Sequence, residues 1–355
     1  MVKIPRPPGI VGWDIGGAHL KAVHINEYGA VIGVHQTACP LWQGVDQLEM
    51  ALDTLCALTM DTRIYHAVTM TGELADNFRN RAEGVRALIE TLARRLGPER
   101  VFVFRGRSGF VNAALVTAAD TGLIASANWL ASGLWAAARH HEALFVDIGS
   151  TTTDILPICD NQVQNRGYTD GERMRYDELL YTGIARTPAM VLAKRVPLAG
   201  EWTSLMAEHF ATSADVYRLT GELPEYADQM PSADHGPKTV AASSTRLARL
   251  FGRDSGESAP ESWRQAASYL REQQLCSIRE ALELQLSRGL LSHQAPLIGA
   301  GIGAFLVEEL SARMRRPYVD FGHLFVMSTV PQDFRVADCG PAAAVACLAW
   351  QELAG

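Results

Sequence analysis

The sequence predicts an α/β protein built from two lobes of like topology with a cleft between them. Two observations carry that prediction. A run of three apolar strands followed by alternating helices and strands opens the chain and restarts near residue 143, and both copies end their first strand in Asp-x-Gly. A third is bulk: 355 residues, 48% apolar and 20% charged, are enough for two packed cores.

Taken in order, Ile10–Gly17, Leu20–Asn26 and Ala30–Ala38 are apolar and β-branched, with the turn Glu27-Tyr28-Gly29 between the last two, and read as a strand meander. Val45, Leu48, Leu52, Leu55 and Thr59 recur at helical spacing and predict a helix over Val45–Met60. Ile64–Met70 reads as a buried strand, Val85, Leu88, Ile89, Leu92 and Leu96 as the apolar face of a second helix, and Val101–Phe104 as a further strand. After a helix over Trp129–His141 the pattern restarts with Ala143–Ile148, Thr153–Ile158 and Val163–Gly167, the last preceded by the hairpin signal Asp160-Asn161. Glu222–Lys238 and Gly252–Pro260 are polar and read as surface loops. A long helix over Glu261–Arg288 follows, then a short strand Ala295–Ile298 and an Ala-rich helix Cys339–Leu353 with Gly340-Pro341 at its start. The division expected is a first lobe of residues 1–141 joined by the C-terminal helix 338–355, and a second lobe of 142–337 with a helical insertion around 170–290.

Bulk properties exclude several classes. A net charge of −7 argues against nucleic acid or an anionic membrane as the main partner, since both demand concentrated positive charge. The six cysteines form no CxxC and no Cys/His cluster, and read as reduced structural thiols; the ten histidines show no ligand spacing such as HExxH. MVKIPRPPGI has no apolar signal core, and no stretch reaches the ~18 apolar residues of a membrane span, so cytoplasmic residence is the expectation. A small phosphorylated molecule is the expected partner, with homo-oligomerisation left open. Only Lys3, Lys21, Lys194 and Lys238 are lysines among 32 basic residues, a bias that genome composition explains, yet Lys21 follows a glycine turn.

Three segments could carry chemistry. In Asp14-Ile15-Gly16-Gly17, an acid and two glycines close a strand, so backbone N–H groups can face an anion while the carboxylate holds Mg²⁺ beside it, and Lys21 can add a point charge. The alternative is an ordinary hairpin turn. Asp147-Ile148-Gly149-Ser150-Thr151-Thr152-Thr153-Asp154 is the stronger signal: an acid, a glycine and four hydroxyl residues that can all donate to phosphate oxygens. The third, Gly299-Ala300-Gly301-Ile302-Gly303, is a strand-to-helix turn that reads equally as an adenosine flank or as tight packing.

In this order the three segments resemble the phosphate-1, phosphate-2 and adenosine motifs of the actin-like ATPase superfamily, a duplicated ribonuclease H-like fold, and Asp338–Ala343 resembles its second connecting helix. VGWDIGGAHLK, MTGELAD, FVDIGSTTTDILPI and RGYTDGERM resemble more narrowly the hydantoinase/oxoprolinase-related branch. Within it they are similar to the furan-amine synthases of methanofuran or methylofuran biosynthesis, in tetrahydromethanopterin-linked one-carbon metabolism. That resemblance implies a transferase in which a furanylmethyl diphosphate loses pyrophosphate and its CH₂ is captured by the phenol of a tyrosine-derived acceptor such as γ-glutamyltyramine. Mg²⁺ is the implied cofactor, held by Asp14 and Asp147. Ala18 and His19 replace the hydroxyl residue common after the first turn of nucleotide-using members, which weakens the alternative of an ATP-dependent small-molecule kinase or oxoprolinase-like enzyme.

Secondary candidates complete the site. Thr71 and Glu73 lie at the end of a buried strand, where α/β sites gather. Glu73 is the candidate for the substrate ammonium or a base, against the alternative of a carboxylate at a helix N-terminus. Asp154 reads as a metal partner or base, or as a strand-edge acid. Arg166, Arg173 and Arg175 read as partners for a glutamyl carboxylate or as solvated arginines.

Overall fold

The computed structural model describes residues 8–59, 61–328 and 334–354. Lys3 and Met60 lie outside them. The chain divides into two compact units, one of Met1–His141, Asp160–Val163 and Asp320–Gly355, the other of Glu142–Cys159 and Gln164–Val319. Of the residues expected in the second lobe, 320–328 and 334–337 are part of the first unit, and 329–333 lie outside the described residues.

The first unit is built on a six-stranded mixed sheet of β1 (Gly9–Ile15), β2 (His19–Asn26), β3 (Val31–Ala38), β4 (Tyr65–Met70), β5 (Val101–Phe104) and β6 (Phe110–Asn112), in the order β3-β2-β1-β4-β5-β6. The meander β1–β3 is antiparallel, and β4 and β5 continue parallel to β1. Every residue of β1 is buried, because the central strand is covered on both faces. Val11, Trp13 and Ile15 pack in one core with Leu48 and Leu52 of the helix Asp46–Thr54 and with Val85, Leu88 and Leu92 of the helix Arg81–Leu96. The alternate residues Gly12 and Asp14 point to the other face, where the helix Gly340–Ala354 lies. Gly12 is there because a Cβ would sit 2.0 Å from the Ala342 carbonyl oxygen. The helix expected over Val45–Met60 breaks at Leu55, whose backbone leaves the helical region, and resumes as Cys56–Thr59.

The second repeat opens as expected with β7 (Glu142–Ile148) and β8 (Thr153–Cys159), which are antiparallel. Its third strand does not run over Val163–Gly167. Only β9 (Gln162–Val163) is extended there and pairs with β8, and β10 (Leu179–Leu180) also pairs with β8, at its start. The N–H groups of Gly167 and Arg166 donate instead to the buried Glu178 carboxylate, eleven and twelve residues on, at 3.0 and 2.6 Å. The hairpin β11 (Arg195–Leu198) and β12 (Glu201–Ser204) follows, and β13 (Leu297–Ala300) and β14 (Tyr318–Asp320) complete a sheet of order β10-β8-β7-β13-β14, with β13 parallel to β7. Both units thus put an antiparallel meander on one side of their first strand and a parallel strand on the other.

The helix Pro260–Leu286 starts at a proline, tolerated at N1, and spans two apolar clusters of the second unit. Trp263, Ala266 and Leu270 pack with Val216, Leu247 and Leu250 of the insertion, whereas Leu275, Ile278 and Leu282 pack under the sheet against Leu144, Val146 and Leu297. Cys39 and Cys347 are buried, which pushes both thiols up to about 12. Among the described residues no helix is long and apolar enough to cross a membrane.

Candidate functional site

In the first unit β1 and β2 are joined by Gly16–His19, a turn closed by the Gly16 N–H donating to the His19 carbonyl at 2.9 Å. Register sets Asp14 opposite Lys21 on β2 and Thr69 on β4, so the three share a neighbourhood. Asp14 is only 5% exposed and accepts from Asn128 Nδ2 at 3.4 Å, at the start of the helix Asn128–Ala137. Lys21 Nζ donates to the Asp338 carbonyl at 2.8 Å, and the Asp338 carboxylate accepts from Arg335 Nη2 at 2.7 Å. Lys21 therefore holds the chain before the C-terminal helix. Thr71 stands beside the turn: its N–H donates to the Ile15 carbonyl at 2.9 Å. No protein atom comes within 4 Å of a Cβ built on Gly17, so neither its φ nor its packing requires glycine.

Glu73 is in a different setting from the one expected of an ammonium site or base. It is buried, accepts from Ser126 Oγ at 2.7 Å and lies 3.8 Å from Arg81, which itself donates to Ser126 at 3.0 Å. That group joins the end of β4 to the helix Arg81–Leu96 and to the segment before Asn128.

The second unit repeats the first turn closely. Gly149 N–H donates to the Thr152 carbonyl at 2.9 Å, and Asp147 lies in register with Asp154 on β8 and Ala300 on β13. Asp147, Gly149, Ser150, Thr151 and Thr152 are all half-buried, so an acid and three hydroxyl residues cluster at this turn. Thr153 is buried and spends its hydroxyl on the Thr182 carbonyl at 2.7 Å. Asp154, the counterpart of Lys21, is paired with buried Arg173 at 2.8 Å, and burial raises its pKa against the pull of that guanidinium. Arg173 also donates to the Glu178 carbonyl at 2.8 Å and is 1% exposed, so it is a core residue and not a carboxylate receptor. Arg166 stacks on Tyr176 with 4.1 Å between guanidinium carbon and ring centroid, and Arg175 is exposed at 5.8 Å from the same ring.

The glycines of the third segment have packing reasons. A Cβ on Gly301, whose φ is +77°, would stand 2.3 Å from the Ile148 carbonyl oxygen and 2.4 Å from Asp147 Oδ1. On Gly303 it would meet the Ile148 side chain at 2.5 Å, and on Gly299 the Tyr318 ring at 2.7 Å. Gly301 thereby lets β13 end directly against Asp147.

Three residues, Arg186, Asn128 and Arg335, escaped the motif reading. The segment Thr182–Thr187 wraps the second turn, with Ile184 N–H donating to the Gly149 carbonyl at 3.0 Å and the Ala185 and Arg186 N–H groups to the Ser150 carbonyl at 3.1 and 2.9 Å. The Arg186 Nη1 reaches Thr151 Oγ1 at 3.3 Å. In the sequence, Thr182-Gly183-Ile184-Ala185-Arg186-Thr187 is a polar glycine-bearing stretch with no signal tying it to a turn some thirty residues earlier. Asn128 and Arg335 were likewise invisible as neighbours of Asp14 and Lys21.

A profile of the hydantoinase/oxoprolinase family matches residues 65–330. The chain is 32% identical over 247 residues to the (4-{4-[2-(gamma-L-glutamylamino)ethyl]phenoxymethyl}furan-2-yl)methanamine synthase of Methanocaldococcus jannaschii, covering 69% of this chain and 72% of that protein. It is 33% identical over 129 residues to the protein of the same name from Methanococcus vannielii, covering 36% of this chain and 58% of that one. Among solved structures, nucleotide-free acetone carboxylase superposes with a TM-score of 0.58 at 11% identity, over 96% of this chain and 70% of that one. The fold is the two-domain actin-like α/β architecture.

Proposed function

The chain belongs to the hydantoinase/oxoprolinase family, and from that premise we propose that it is an aryl-ether-forming transferase of methanofuran or methylofuran biosynthesis. The observation that carries this reading is the likeness to the Methanocaldococcus jannaschii synthase, whose name describes an aminomethyl furan joined through CH₂–O to a glutamylated tyramine. In the reaction we assign, the CH₂–O bond of a furanylmethyl diphosphate breaks and its electron pair leaves with pyrophosphate. A lone pair of the phenol oxygen forms the new C–O bond, and the phenol proton is released.

The residues suit such a step. The turn Gly149–Thr152, with the hydroxyls of Ser150, Thr151 and Thr152, is proposed to hold the diphosphate, where preorganised donors meet charge that grows on the leaving group. Gly17 and Gly149 fit the same reading: neither has a positive φ, and a Cβ would meet nothing at Gly17 and only the Thr152 carbonyl, at 3.6 Å, at Gly149, so room for a ligand is the use left to them. Mg²⁺ bound through substrate phosphates needs one or two carboxylates rather than a protein cage. Half-buried Asp147, beside the open turn, fits as such a ligand, and Asp14 is the corresponding acid of the first unit. The metal would supply neutralisation of the departing charge. Glu73 and Asp154 are engaged by Ser126 with Arg81 and by Arg173, so the departing pyrophosphate is the proton acceptor in this reading.

The test is incubation of pure protein with an aminomethyl-furanylmethyl diphosphate, γ-glutamyltyramine and Mg²⁺, following pyrophosphate release and the mass of the ether. Equal release of both is expected. ADP formed from ATP in the presence of substrate, with no ether, would replace the proposal by the ATP-consuming reading.

A further inference from the structure

We propose that Gln274, oriented by Tyr217, is a positioning residue for the Gly149–Thr152 turn: it fixes the neighbouring backbone on which the turn takes the shape that receives an anion. The inference rests on the proposed function for the identity of that anion as a diphosphate.

The segment Thr182–Thr187 lies directly on the turn. A Cβ on Gly183 would stand 2.6 Å from both the Ser150 carbonyl carbon and Thr151 N, so the two backbones are in contact there. The Thr182 carbonyl accepts from Thr153 Oγ1 at 2.7 Å, and the Ile184 and Ala185 N–H groups donate to the Gly149 and Ser150 carbonyls at 3.0 and 3.1 Å. Each of these bonds carries a displacement of Gly183 into the turn.

Two helices hold the segment. Gln274, 2% exposed on the helix Pro260–Leu286, donates through Nε2 to Thr182 Oγ1 at 2.7 Å and to the Gly183 carbonyl at 3.0 Å. A carbonyl can only accept, so the amide nitrogen must face Gly183, which leaves Oε1 to accept from the Tyr217 hydroxyl at 2.8 Å. Burial raises the Tyr217 pKa above its ordinary value, and the hydroxyl keeps its proton to donate. Tyr217 is on the helix Ser213–Thr220, whose first residue holds the far end of the segment. There the Ser213 N–H donates to the Thr187 carbonyl at 2.7 Å, and Thr187 Oγ1 accepts from the Gly183 N–H at 2.8 Å.

Stability does not account for the polar pair. Gln274 stands where its helix passes from one apolar cluster, which includes Leu270, to another, which includes Leu275 and Tyr217. A methionine and a phenylalanine would fill the same space, and exchanging both partners of a buried hydrogen bond for apolar groups of like shape is nearly neutral for stability. Apolar groups cannot supply direction. Two donors aimed at Thr182 and Gly183 favour one placement of the segment, and a turn held in one shape keeps its own donors where negative charge will grow.

The experiment titrates inorganic pyrophosphate with Mg²⁺ into wild type, Gln274→Met, Tyr217→Phe and the double variant by calorimetry. Melting temperatures and steady-state kinetics on the furan diphosphate and the phenol run alongside. Gln274→Met is expected to bind pyrophosphate roughly 3- to 30-fold more weakly, the range for residues that modulate a site without touching its ligand. The KM of the furan diphosphate should rise to match while that of the phenol holds. Tyr217→Phe should shift the same quantities less, and shift nothing further in the Gln274→Met background, because it acts through that amide. Unchanged pyrophosphate affinity in Gln274→Met, with or without a lower melting temperature, overturns the proposal. Should that variant not fold, unchanged affinity in Tyr217→Phe overturns it equally. If wild type binds pyrophosphate, the variants bind it weakly and no ether is made, the assigned reaction falls and the positioning role stands. If ether is made with the same KM values by every variant, the reaction stands and the positioning role falls. Failure of wild type to bind pyrophosphate overturns both.

Discussion

At the scale of single residues, Asp147 is half-buried at the end of β7 beside the Gly149–Thr152 turn, and Asp154, Glu73 and Asp338 accept from Arg173, Ser126 and Arg335. Asp147→Asn removes the charge with little change of shape, and is expected to lower kcat by about 10²–10³, the range seen when one preorganised electrostatic group is lost, with the melting temperature held. A variant with normal turnover would remove Asp147 from the site. His66 gives a prediction unrelated to catalysis. It is fully buried, accepts from Trp13 Nε1 at 3.2 Å, and burial pushes its pKa down to about 3, with Arg100 and His24 adding repulsion. The folded pKa lies below the unfolded value of 6.5, so the stabilisation is complete above pH 6.5 and is lost as pH falls from there toward 3. Urea unfolding at pH 7, 6 and 5 should show a loss approaching about 1.4 kcal/mol per unit from this residue. His66→Gln, which keeps an acceptor for Trp13, should flatten the slope by that amount.

At the scale of elements, the strands and their turns were legible because alternation and glycine corners are properties of neighbouring residues: β1, β2, β3, β7 and β8 begin and end within a few residues of their expected places. Two elements departed from their expected bounds, one of them where a group eleven or more residues away intervened. Glu178 draws the Arg166 and Gly167 N–H groups away from a ladder, and Leu55 interrupts a periodic helix. The glycines of the site separate in the same way. Gly301 has φ +77° and no room for a methyl beside Asp147. Gly301→Ala should therefore destabilise the second unit by about 1–3 kcal/mol and reduce turnover further than that loss explains, because the methyl pushes on the Asp147 carboxylate. Calorimetry and kcat measured on the folded fraction check both parts. Gly17→Ala is the control for sterics, with open space at its Cβ and an unchanged melting temperature expected.

At the scale of the whole molecule, each unit has its own sheet and core, and the first is closed by residues from the far end of the chain. The helix Gly340–Ala354 lies on β1 so closely that Gly12→Ala would put a methyl 2.0 Å from a helix carbonyl. Overpacking against backbone is expected to cost about 3 kcal/mol or more, read as a lower melting temperature, and an unaltered one would contradict the seating of that helix. The sequence by itself determined the α/β class, the repeat of the Asp-Gly turn and the resemblance to the hydantoinase/oxoprolinase branch. All of these are written in short-range patterns of apolar alternation, glycine and acid. Only the tertiary structure decided how charge is used: that Lys21 ties down Asp338, that Glu73 and Asp154 are neutralised by partners, and that Arg186 arrives at Thr151. The physical reason is range. A turn is specified by residues three or four apart, whereas a charge is satisfied by whichever group the fold brings within a few ångströms, and no local pattern records that encounter.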